Sequence, residues 1–188
     1  MKAIQVLMDE HIVIGQVIKA METAAGRLSS GEELRPAFFL NAALFIKNYA
    51  DGCHHRKEED ILFAAMNAAG DPDIIGPVAV MHDEHVQARE FAAAMKAAAE
   101  GWEKGAMHNR SVVAHNALGY ARLLYYHIQK EDKLLFPMAE KTIPADKQVL
   151  VDAGFEKAAD EENRLNIQEK FRALAEVLVK ESTQKIAS

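Results

Sequence analysis

The chain has 188 residues, 49% apolar and 27% charged, with a net charge of -6 and one cysteine, Cys53. That length suffices for one substantial core, while a lone cysteine excludes an internal disulfide framework and an acidic chain without Lys/Arg clusters is a poor nucleic-acid binder. No apolar run reaches the roughly 18 residues a membrane span needs, and the N-terminal one is too short for a signal peptide, so the expectation is a soluble, cytoplasmic protein with no membrane partner.

Ala, Leu, Met, Glu and Lys dominate, and no stretch alternates with period two between turn signals, which predicts an all-α fold. The first helix is expected over about 3–27, ending in "GRLSSGEE". The second is expected over about 34–69, with Pro36 tolerated in its first turn. "GDPDIIGP" breaks the chain, so a third helix should open at Pro77 and reach about Trp102. A fourth should run from beyond Gly105 to about Phe136, where Pro137 should bend or stop it. Short connections favour antiparallel neighbours, hence an up-down-up-down four-helix bundle over residues 1–140. Residues 141–188 read as a helical extension in which Ile167, Phe171, Leu174 and Leu178 form one apolar stripe for packing onto the bundle.

The second and fourth helices carry related strings, "HHRKEEDILF" from His54 and "HIQKEDKLLF" from His127. The first and third both carry Asp-Glu-His, ending at His11 and at His85. About 73 residues separate His54 from His127, and about 74 separate His11 from His85. A helix pair is therefore used twice, which makes a central, pseudo-symmetric site natural. Counting up and down the helices at about 1.5 Å per residue puts all four histidines near one level.

His54 and Glu58 are one turn apart and about 40° apart around the helix, near enough to reach a common centre. His127 and Glu131 repeat that spacing. Imidazole nitrogen with carboxylate oxygen suits iron, manganese or zinc, and a carboxylate can bridge two ions. Singly, such a pair is an ordinary solvated pair, and a lone His11 or His85 an ordinary boundary residue. Four imidazoles and two carboxylates buried at one level are different, because burying them without a cation is costly. On the fourth helix the buried stripe reads Val113, Tyr120, Leu124, His127 and Leu134. On the second, the stripe of His55 includes Leu44, Leu62 and Met66, so His55 with Glu59 stays open as an alternative to His54 with Glu58. The repeat favours the latter and leaves Arg56, Lys57 and Asp60 facing water.

In combination, the helix-one "DEH", "CHHRKEEDILF", "MHDEH" and "HIQKEDKLLFP" resemble the hemerythrin-like HHE cation-binding family over about residues 5–140. The resemblance implies a carboxylate-bridged pair of non-haem iron ions, with zinc or manganese as substitutes, held by His11, His54, Glu58, His85, His127 and Glu131. Oxygen-carrying members differ at two places. Their third helix usually has histidines four apart, where this chain has Met81, although His82 lies on the same side and could serve. Their last carboxylate is an Asp five after its histidine, the position of Asp132, whereas the repeat here favours Glu131.

The implied function is a binding protein for a small ligand such as oxygen or nitric oxide, or a sensor of these or of iron. The alternative is an enzyme turning over peroxide or nitric oxide, or an iron donor for cluster repair. Homo-oligomer formation is left open. Cys53, His108 and His115 read as packing and surface residues, and Tyr120, Tyr125 and Tyr126 flank the site.

Overall fold

The computed structural model describes residues 1–184, and these form six helices with no strand among them. Helix α1 is Lys2–Ser29; α2 covers residues 36–68; α3 is Pro72–Glu103; α4 covers 109–142; α5 is Ala145–Arg164; and α6 is Ile167–Thr183. The first four make the expected all-α bundle: α3 packs along α4 and α2, and α1 along α4. Helix α6 lies against both α1 and α2, which touch it more extensively than they touch each other. Of its stripe, Phe171 and Leu178 are buried in the same apolar cluster as Phe39, Met21 and Trp102, and Ile167 and Leu174 pack half-buried against it.

Two helix boundaries differ from the sequence expectation. Helix α3 opens at Pro72, not Pro77, because the Asp71 carboxylate caps it by accepting from the Asp73 amide at 3.0 Å. Proline at the first helical position has no amide to lose, and Pro77 is carried inside the helix. Helix α4 passes through Pro137 to Thr142, because Pro137 stands two residues after the end of a π turn, Glu131–Leu135. Such a turn shifts the hydrogen-bond register of the helix, which lets a residue without an N–H be accommodated.

Helix α2 has two π segments of its own, Ile46–His55 and Glu58–Phe63. The histidine pair closes the first of them. Their wider turn rotates the downstream face, so His54 and His55 are both buried, each at 1% exposure. In α4 the same effect exposes Leu134 and buries Leu135, contrary to a stripe drawn with a constant helical period.

The apolar interior is divided into two clusters. One contains Val17, Phe39, Tyr49, Trp102, Tyr120 and Phe171; the other contains Leu7, Leu62, Met66, Ile74, Met81 and Phe136. Glu10, His11, His54, His55, Lys57, Glu58, His85, His127 and Glu131 are buried as well. These polar residues are the site that the bundle encloses.

Candidate metal centre

The structure brings His11 (α1), His54 and Glu58 (α2), His85 (α3), and His127 and Glu131 (α4) together, all 5% exposed or less. It adds His55, and it leaves His82 out on the surface. The donors fall into two sets, each with ligand atoms within 4.8 Å of one another: His55, Glu58, His85 and His127, and His11, His54, Glu58 and Glu131. Glu58 belongs to both. Its Oε2 is 3.6 Å from His54 Nε2 and 3.5 Å from His85 Nε2. Glu131 also spans the centre, with Oε2 3.2 Å from His11 Nε2 and Oε1 3.2 Å from His127 Nε2.

The outer nitrogens of four rings are committed to carboxylates. His11 Nδ1 is 2.8 Å from Asp132, His54 Nδ1 3.0 Å from Glu10, His85 Nδ1 2.7 Å from Glu59, and His127 Nδ1 2.9 Å from Glu84. These contacts repeat with the sequence. The Glu of each Asp-Glu-His backs the histidine of the helix beside it, and the acid following each bridging Glu backs the other histidine. Three of the acids are tied to cations: Glu10 to Lys57, Glu59 to Arg89 and Glu84 to Lys130. Burial alone would raise Glu59, but His85 and Arg89 outweigh it and bring it down to about 2. A carboxylate backing a ring nitrogen accepts from it, so each Nδ1 donates and each Nε2 faces inward.

The inward nitrogens crowd one another. His85 Nε2 and His127 Nε2 approach to 3.0 Å, a distance two lone pairs hold only with a proton or a cation between them. Burial would lower the His127 imidazole, yet Glu131 and Glu84 push it up to about 9. Burial, reinforced by Glu131, raises Glu58 well above the usual carboxylate range. Burial also acts on Glu131, but His127 and His11 overcome it and keep it ionised. Both oxygens of Glu58, both of Glu131, His11 Nε2 and both nitrogens of His55 have no hydrogen-bond partner among the described residues. Divalent cations fit this set: they need neutral imidazoles and carboxylates, and they satisfy the buried lone pairs that nothing else meets.

The family comparison agrees with this chemistry, matching the hemerythrin HHE cation binding domain over residues 2–139. The chain belongs to the hemerythrin HHE cation-binding family. Comparison with curated proteins and with solved structures finds no match. In this family member α5 and α6 lie beyond the matched residues.

Three residues stand differently from the sequence expectation. His55 is not an alternative to His54: it stacks on His85 at 3.9 Å and joins the donor set of His85 and His127. Its partner Glu59 backs His85. Lys57 does not face water; it is 2% exposed and paired with Glu10 and Glu162. The signal was in the repeat, since Lys57 and Lys130 occupy matching positions, as do Glu10 and Glu84. Asp132 supports His11. Tyr120 is buried, whereas Tyr125 and Tyr126 are exposed. They line, with Ile12, Arg122 and Asp132, a groove of about 970 Å³ between α1 and α4 that reaches His11.

Proposed function

We propose that the chain holds two iron ions, one in each donor set, and binds or senses a small ligand such as oxygen or nitric oxide through them. The observation that carries this is Glu58, which is fully buried, shared by both donor sets and without a hydrogen-bond partner among the described residues. A shared carboxylate suits two neighbouring cations. His55, His85 and His127 would hold one ion with Glu58; His11, His54 and Glu131 would hold the other with it. Mixed nitrogen and oxygen donors suit iron, and also zinc or manganese. Iron would supply redox-active positions open to a diatomic ligand. The protein's own part is to fix the donor directions, keep the pair between apolar layers, and offer the groove beside His11 as an approach.

The test is iron loading of the purified chain, followed by metal analysis and absorption spectra with and without oxygen or nitric oxide. About two equivalents and ligand-dependent spectra are expected; His54→Ala and His127→Ala should each lose metal. Well under one equivalent in the unaltered protein would remove the metal reading. Full loading with no spectral response would remove the ligand reading. Turnover of peroxide or nitric oxide well above that of free iron would instead make it an enzyme.

A further inference from the structure

The Glu–Lys supports behind the two halves of the centre repeat, but the chain treats them differently. In the half made by α3 and α4, Glu84 accepts from His127 and from Lys130. Lys130 is 39% exposed and Glu84 19% exposed, so that pair is open to solvent. In the half made by α1 and α2, the matching Glu10 accepts from His54 and from Lys57. Here the lysine and glutamate are 2% and 3% exposed. What covers them is the C-terminal extension. Glu162 of α5 accepts from Lys57 at 3.0 Å, and Gln168 of α6 donates to Glu162 at 2.6 Å and to Glu10 at 3.3 Å.

We infer that Glu162 and Gln168, outside the family-matched residues, are positioning residues for the metal bound by His11, His54, Glu58 and Glu131, acting through Lys57, Glu10 and His54. Glu162 draws part of the Lys57 charge away from Glu10 and leaves Glu10 free to hold the His54 ring. Without Glu162, the lysine turns wholly onto Glu10, and the hold of Glu10 on His54 weakens. Gln168 aims the Glu162 carboxylate. The opposite half has a lysine open to solvent, so the inference puts one of the two metal positions, and not the other, under the control of α5 and α6. It rests on the two-metal reading above.

The test uses the full chain, cobalt(II) as the probe, and absorption to follow each equivalent. The unaltered protein should take up two equivalents. Glu162→Gln should weaken one of them by roughly 10–100-fold and shift its cobalt absorption, leaving the other unchanged. Gln168→Leu, a milder change at a half-buried position, should weaken the same equivalent by less. Glu169→Gln, at a neighbouring exposed residue, should change neither. A merely structural role would weaken both equivalents together or lower only the melting temperature, and that result overturns the inference. So does unaltered binding of both equivalents in Glu162→Gln and Gln168→Leu. Failure of the unaltered protein to bind cobalt or iron would instead sink the metal reading itself.

Discussion

At the scale of single residues, His55 and Lys57 show what a sequence pattern can carry. The repeat made six of the gathered residues legible, because His54 and Glu58 recur as His127 and Glu131, and His11 recurs as His85. It could not carry His55, whose matching position in the fourth helix is Ile128; a donor without a counterpart leaves no internal echo. His55→Ala should therefore lower metal affinity in the set with His85 and His127, read by metal titration, while His82→Ala leaves uptake unchanged. Equal uptake by His55→Ala and the unaltered chain would take His55 off the ligand list. Cys53, beside the histidines, makes a different prediction. It is 2% exposed and its Sγ donates to the Asn48 carbonyl at 3.2 Å, and burial pushes the thiol up to about 12. The reactive form is the thiolate, so below that range the group stays protonated. A thiol reagent at pH 8 should not label the folded protein and should label it fully in denaturant.

At the scale of elements, the departures within α2 and α4 from a simple helical reading trace to π turns. Periodicity assumes a constant number of residues per turn, and a π turn changes that number in the middle of a stripe. That is why Leu134 and Leu135 exchange places, why both His54 and His55 are buried, and why Pro137 does not end its helix. No residue type announces such a turn. Gly52 marks one afterwards: a Cβ there would lie 2.9 Å from the Lys47 carbonyl oxygen, inside the segment Ile46–His55. Gly52→Ala should cost about 1–3 kcal/mol through this overlap, measured by denaturant unfolding, and should loosen metal binding by the neighbouring histidines. An alanine variant as stable as the parent would mean that the turn adapts freely.

At the scale of the molecule, the all-α bundle was legible because four amphipathic segments with short connections admit few arrangements. The packing of the extension was legible as a stripe, but its polar contacts were not, since nothing in "DEENRLNIQEK" points to Lys57 about a hundred residues earlier. The extension is bound into the main core through Phe171 and Leu178, in the cluster that also holds Trp102, the one tryptophan of the chain. Leu178→Ala should destabilise the whole chain by about 2–5 kcal/mol. Unfolding should remain one transition, with tryptophan fluorescence and circular dichroism moving together. Loss of helix at a lower denaturant concentration than the Trp102 signal would show the extension melting alone.

The carboxylates behind His11, His54, His85 and His127 have a consequence in time. Each ring has its outer nitrogen engaged and its inward nitrogen aimed before an ion arrives. Loading is then limited by passage of the ion through the bundle wall and by release of the protons it replaces, with no refolding of the donors. Uptake should accordingly be fast and should slow as the pH falls through about 9, where His127 takes up the proton that an arriving ion must displace.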